Sequence, residues 1–224
     1  LAHAAIADVR IDGFRVANPI GFQGQEVNVS IFNAFAPLTH YGALQTIAAE
    51  LELDLLAIAA EPFAVARCFG PEHGTDVSGI FIDIGGGTTD IAVMRNGSLE
   101  GIKMFTLGGR TFTKRIAHTL NISLPEAEEV KIAYSRSELE KQSEQIVREA
   151  MESDAEVWMA GISLAISEIP NLDVIPSTLY LCGGGAHLPE IKRSLESAEF
   201  ASSLPFGKNP HIIHLQPKHV TNVI

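Results

Sequence analysis

The sequence predicts an α/β fold, a mixed central sheet flanked by helices and preceded by a small β-containing piece. Three observations predict it. Strand-like runs at 79–84, 90–94 and 98–107 follow one another at hairpin spacing. Helical patterns come next, at 110–120, from Leu124 onward and over 146–168. A strand–glycine loop–helix unit then appears: TLYLC (178–182), Gly183 to Gly185, and a helix opened by Pro189.

Each element has its own warrant. Val27 to Phe35 alternates in part, and Asn18-Pro19 and Gly21 to Gly24 punctuate residues 1–37 as turns. Leu44, Ile47, Ala48 and Leu51 repeat at helical spacing over 39–52, with Thr39 as N-cap. LLAIAA (55–60) reads as a buried strand. Pro62 opens a helix over 62–69, where its missing donor has no partner to lose. GPEHGTDV (70–77) is a polar turn, and Asn96-Gly97 is a hairpin turn. Ser123 and Glu126 fit a capping box, and 133–145 is a solvated helix face or loop. Pro170 ends the helix over 146–168, and HIIHL (211–215) is a final strand.

The 224 residues are 46% hydrophobic, which excludes a disordered or fibrous chain. Twenty-seven acidic against 16 basic residues give a net charge of −11. That sign speaks against a nucleic-acid binder that neutralises phosphates, and against electrostatic attachment to anionic lipid. Two cysteines cannot form a zinc cluster or a disulfide framework. Cys68 and Cys182 are expected as buried packing residues in a reducing cytoplasm. The most apolar stretch, 55–60, falls far short of the ~20 residues of a membrane-spanning helix. No signal peptide is visible, and a first residue other than Met suggests a piece of a longer protein.

The sharpest chemical signal is FIDIGGGTTDIAV (81–93). Gly85, Gly86 and Gly87 let the backbone approach a ligand and aim N–H groups at it. Thr88 and Thr89 add hydroxyl donors for phosphate oxygens. Asp83 and Asp90 are hard oxygen ligands of the kind Mg²⁺ prefers. A plain hairpin needs fewer glycines. A second triplet, Gly183, Gly184 and Gly185, joins a strand to a helix and suits a flat or anionic ligand, or a tight connection. Glu128 and Lys131 share a helix face, either as ligand contacts or as a surface ion pair. Trp158 belongs to the core or to a partner surface. His211 and His214, three apart on a strand, face opposite ways, so a metal site with His219 is not expected.

In this order the segments resemble the actin-like (ribonuclease H-like) ATPase superfamily. Residues 83–90 resemble its second phosphate motif, 179–190 its adenosine motif, and EPFAVA (61–66) its connecting segment. LGGRTFTKRIA (107–117) resembles the glycine turn and helix after the hairpin, and AEEVK (127–131) the ribose-contacting helix. ANPIGFQGQEVNV (17–29) is similar to the end of the small inserted subdomain of the bacterial cell-division FtsA family. The resemblance implies ATP and Mg²⁺ as cofactors. Asp83 would hold the Mg²⁺ shell or the attacking water, and Asp90 would support the metal. Thr88 and the Gly85–Gly87 amides would bind phosphates. Glu61 would position or deprotonate water, Glu128 and Lys131 would reach the ribose, and Gly183 to Gly185 would line the adenosine. Gly108 and Gly109 would pack under the site.

It also implies a division: residues 1–37 as the end of the inserted subdomain, 38–76 as a remnant of the first lobe with its connecting helix, and 77–224 as the second lobe. Three departures follow. A first phosphate motif is not found, Ile11 to Phe14 being a poor match. Residues 132–145 leave little room for the family's small β-containing subdomain, and no amphipathic tail precedes Ile224. The chain alone is therefore expected to be inactive as an ATPase. The implied setting is cytoplasmic, membrane-peripheral only through segments not in this chain. The implied partners are filament copies of itself and a division or pilus-assembly protein. The alternative is a non-hydrolysing adaptor of the pilus-assembly PilM type, with nucleotide as a structural ligand. A small-molecule kinase or DnaK-type chaperone is the third class.

Overall fold

The computed structural model describes residues 1, 3–16, 18–68, 77–170 and 172–216. All but the last residue of the turn expected at 70–77 lies outside them, as does His219. The chain forms two compact units, Leu1–Ala64 and Val65–Ile224.

The first unit holds an antiparallel sheet in the order β2-β1-β3, with β1 His3–Ile11, β2 Phe14–Arg15 and β3 Val27–Ala34. Asp12 and Gly13 make the β1–β2 turn, both at positive φ (51° and 83°). The Asp12 carboxylate accepts the amides of Gln25 and Glu26 at 2.8 Å each. This is a turn built on its own backbone, which explains why Ile11 to Phe14 does not read as a phosphate motif. Helix α1 spans Leu38–Glu50 and starts from Pro37, with no side-chain cap, so Thr39 lies inside the helix and is not its N-cap. Leu44, Ile47 and Leu51 stay exposed. Residues 55–60 are neither strand nor buried, which corrects the expectation from their apolarity. A strand is held by ladder hydrogen bonds, and no described strand pairs with this segment. Helix α2, Glu61–Cys68, carries Pro62 in its first turn.

The second unit is built on a five-stranded sheet in the order β6-β5-β4-β7-β8. Its strands are β4 Gly79–Ile84, β5 Thr89–Arg95, β6 Ser98–Phe105, β7 Thr178–Cys182 and β8 His211–His214. β4 is central, antiparallel to β5 and parallel to β7, and its GIFIDI run is apolar on both faces because both are covered. Asn96 and Gly97 turn β5 into β6 at φ 48° and 71°, as the sequence predicts. Three helices, α3 Gly109–Leu120, α4 Leu124–Ser135 and α5 Lys141–Ser167, then cross back to β7. α3 stops at Asn121 in the left-handed region, and α4 starts on the full Ser123–Glu126 capping box. A 3-10 turn, Gly184–His187, follows β7 and leads into α6, Pro189–Leu195. The six-residue α7, Ala198–Ser203, capped by Ser197, was not foreseen.

The main core fills the face under α3 to α7, with Ile80, Ile82, Ile84, Ile91 and Val93 from the sheet and Trp158 and Ile162 from α5. The opposite face carries Phe81, Ala92 and Met94, with Val65 of α2 and Tyr180 packed on them. A mixed sheet flanked by helices, preceded in the chain by a small β unit, is the architecture of an actin-like ATPase lobe. Cys68 is exposed and Cys182 half-buried, so neither is the fully buried packing residue expected, and among the described residues they form no disulfide.

Candidate functional site

The site follows from one pairing. β4 and β7 run parallel with Asp83 opposite Cys182, so both strands end at the same edge of the sheet. Each is followed by a glycine triplet. Ligands of open α/β sheets bind beyond the carboxyl ends of the strands, where such loops gather. A cleft of ≈ 250 Å³ lies there. Gly85, Gly86 and Gly109 form one wall, Glu128, Lys131 and Ser135 of α4 the second, and Gly184, Gly185 and Leu188 the third.

The glycines divide by what a side chain would meet. A Cβ on Gly108 would lie 2.6 Å from the Gly85 carbonyl oxygen. On Gly183, at φ 81°, it would lie 2.3 Å from Asp83 Oδ1, and on Gly185, 2.4 Å from Ile84 Cγ2. These three are fixed by packing within the chain. Gly87 and Gly184 face open space, and Gly86 meets only the Arg110 side chain, at 3.5 Å. Among the described residues no packing requires glycine at these three positions, which leaves this backbone open to close approach. The loop is pinned from behind, because the amides of Gly109 and Arg110 donate to the carbonyls of Gly85 and Gly86 at 2.8 Å. Gly85 N–H donates to Thr88 O at 2.9 Å. Gly86 and Gly87 are exposed at the loop tip.

Asp83 and Asp90 are register partners across β4 and β5, so their carboxylates share one face. Like charges directly opposite repel. Two carboxylates at one register suit Mg²⁺, which takes one or two carboxylates and completes its shell with water and phosphate oxygens. The pair fits the metal by its chemistry; it lies on the Phe81–Ala92 face of the sheet, and neither carboxylate lines the cleft.

Lys131 is more than half of a surface ion pair. Its ammonium donates to Glu128 Oε2 at 2.8 Å, Thr113 Oγ1 at 2.9 Å and Gly109 O at 3.2 Å, and its side chain is 12% exposed. It ties α4 to the first turn of α3, directly behind the glycine loop. Partial burial pushes the Glu128 carboxyl up, but hydrogen bonds from Lys131 and Thr113 and the charges of Lys131 and Arg110 together hold it below the usual carboxylate range.

Thr89 does not join the cleft, which corrects its assignment as a phosphate donor. It is fully buried, donates to Leu107 O at 2.7 Å and accepts the Trp158 indole N–H at 2.9 Å. Thr89, Ile91 and Val93 share the core face of β5, so the hydroxyl points into the protein. Trp158 is accordingly a core residue. Thr88 stays at the loop, half-buried. Glu61, the first residue of α2, belongs to the first unit. Sequence reasoning missed Arg110, whose guanidinium lies beside Gly86; its place directly after Gly108-Gly109 was the available clue. It also missed the stacking of His187 on His214, ring centroids 6.1 Å apart. Among the described residues no group of three His, Cys, Asp or Glu side chains is arranged to hold a metal.

Residues 80–223 match the family model of the cell division protein FtsA. An FtsA of Neisseria meningitidis serogroup B is 32% identical over 132 residues, 58% of this chain and 32% of that protein. An FtsA of Enterococcus hirae is 26% identical over 242 residues, 97% of this chain and 53% of that protein. The chain thus spans between a third and about half of these relatives. Among solved structures, a chain of the PilM–PilN type IV pilus biogenesis complex superposes with a TM-score of 0.62, covering 97% of this chain and 57% of that one at 20% identity, a likeness of fold. The ethanolamine utilization protein EutJ of Carboxydothermus hydrogenoformans is 30% identical, with a TM-score of 0.52 over 79% of this chain and 57% of its own. In the described residues no helix is long and apolar enough to cross a membrane.

Proposed function

The chain belongs to the FtsA family, and from that premise we propose that its second unit binds Mg-ATP as a structural ligand in an actin-fold assembly adaptor. The observation that carries this reading is the meeting of both glycine triplets with Lys131 and Glu128 on one cleft. In it, Gly86, Gly87 and Thr88 present amides and a hydroxyl to the phosphates, and Arg110 adds positive charge beside them. Asp83 and Asp90 hold the metal, which neutralises phosphate charge. Glu128 accepts from the ribose hydroxyls, Lys131 holds that carboxylate in place and exchanges one of its three internal hydrogen bonds for a ribose oxygen when nucleotide binds, and Gly184 and Gly185 leave room for the adenosine.

An adaptor role is preferred to rapid hydrolysis for a chemical reason. Glu128, the α4 carboxylate that lines the cleft, is bonded to Lys131 and Thr113 and held ionised with a depressed pKa, which suits an acceptor of hydroxyls better than a general base. The second reading, a filament-forming cell-division ATPase, takes Glu61 as the base, at the head of α2. In both readings the partners are a second copy or a division or pilus-assembly protein, and the setting is cytoplasmic and membrane-peripheral in the full-length protein. Incubation with radiolabelled ATP, followed by chromatography of the bound nucleotide, tests the choice. Bound nucleotide that remains ATP over hours is expected. Steady phosphate release that disappears in Glu61→Gln would move the assignment to the ATPase.

A further inference from the structure

We propose that a second pocket, between α5 and α6, binds a primary ammonium on an alkyl stem. The pocket has a volume of ≈ 210 Å³ and is lined by Glu152, Glu156 and Met159 of α5 and by Glu190 and Arg193 of α6. Its key residue is Glu190, 4% exposed. One carboxylate oxygen is fully used: Oε1 accepts from the Tyr134 hydroxyl at 2.5 Å and from Arg193 at 2.6 Å. The other, Oε2, is buried and makes no hydrogen bond among the described residues. A buried carboxylate oxygen is an acceptor and nothing else, so only a donor completes it. Burial, with Glu190 beside it, holds the Tyr134 hydroxyl far above the usual phenol range, so Tyr134 stays the donor on the Oε1 side.

The surroundings select the donor. Glu152 and Glu156 are exposed at the rim, and Glu199 adds another carboxylate, against Arg148 and an Arg193 already committed to Oε1. The balance favours a cation. A guanidinium fork asks for two parallel acceptors, and Glu190 has one oxygen left; an ammonium is a point charge that one buried oxygen and the rim carboxylates can share. A bare divalent cation asks for several fixed oxygens, and no group of three ligating side chains is arranged for one among the described residues. Met159, 9% exposed, and Ala155, 5% exposed, give the stem an apolar floor. The source is a lysine side chain of a protein or a free amine. This proposal does not depend on nucleotide binding, because Glu190 and its pocket share no lining residue with the glycine cleft.

The test is a titration of the full chain, labelled at its methionine methyl groups, with butylammonium chloride, read at Met159 by NMR. A saturable shift is expected, with none from butanol at equal concentration. Glu190→Gln should weaken binding by about tenfold, as befits one charge-assisted contact. Glu152→Gln/Glu156→Gln, both on the exposed rim, should weaken it by about threefold or more without touching the core, which keeps the test decisive if Glu190→Gln fails to fold. Cadaverine against Nα-acetyl-lysine methylamide separates the sources: tighter binding of the diamine points to a free amine, tighter binding of the lysine derivative to a protein side chain. No saturable shift, an equal response to butanol, or unchanged affinity in the rim variant overturns the proposal.

Discussion

Thr89→Val separates a core hydroxyl from a phosphate ligand. Valine keeps the shape of threonine and removes only the hydroxyl. In the fold that hydroxyl donates to Leu107 O at 2.7 Å and accepts Trp158 Nε1–H at 2.9 Å, with no exposure to solvent. The variant therefore orphans a partly buried carbonyl and a buried indole N–H, each at about 1–3 kcal/mol. The sum, about 2–6 kcal/mol, is a large share of the ~5–15 kcal/mol that stabilises a domain. Urea denaturation followed by the fluorescence of Trp158, the single tryptophan, measures it directly. Thr88→Val, at the loop, should stay within about 0.5 kcal/mol of the parent while weakening nucleotide binding. A cycle with Trp158→Phe should return a coupling of about 1–2 kcal/mol, since the two residues share one hydrogen bond. Unchanged stability in Thr89→Val with lost nucleotide affinity would refute the placement and restore Thr89 to the site.

The glycines give a paired test: Gly108→Ala should destabilise by about 2 kcal/mol or more through its backbone clash, whereas Gly87→Ala should leave stability within about 0.5 kcal/mol and reduce Mg-ATP affinity. Arg110→Ala should weaken ATP more than adenosine, read by competition, because the guanidinium lies over the phosphate loop and not the adenosine wall. Glu128 has its folded pKa depressed, so its contribution is present above the ordinary carboxylate range and is lost as pH falls through the folded value. Acid titrations of stability should therefore be shallower in Glu128→Gln than in the parent. An identical acid limb would mean that the Lys131–Thr113–Glu128 network carries no weight.

The sheet and its hairpins were legible because their information is local. Alternation, Asn96-Gly97 and the Ser123–Glu126 box each act within a few residues. Both glycine loops were legible too, but their juxtaposition was not. It depends on the parallel pairing of β4 with β7, which joins residues about a hundred positions apart. Thr89 was misread because its type suits phosphate, while its face is set by the two-residue period it shares with Ile91 and Val93. Residues 55–60 were misread because apolarity signals burial only where a partner strand exists. The Tyr134–Glu190–Arg193 cluster joins α4 to α6 through tertiary packing and leaves no pattern along the chain.

The most direct test of nucleotide binding at this edge of the sheet is calorimetric titration of the chain with Mg-ATP, beside Asp83→Ala. The account predicts saturable binding with a dissociation constant on the order of 100 μM, weakened about tenfold or more in Asp83→Ala and by omission of Mg²⁺. Absence of saturable heat at millimolar Mg-ATP, or equal affinity in Asp83→Ala, would contradict it.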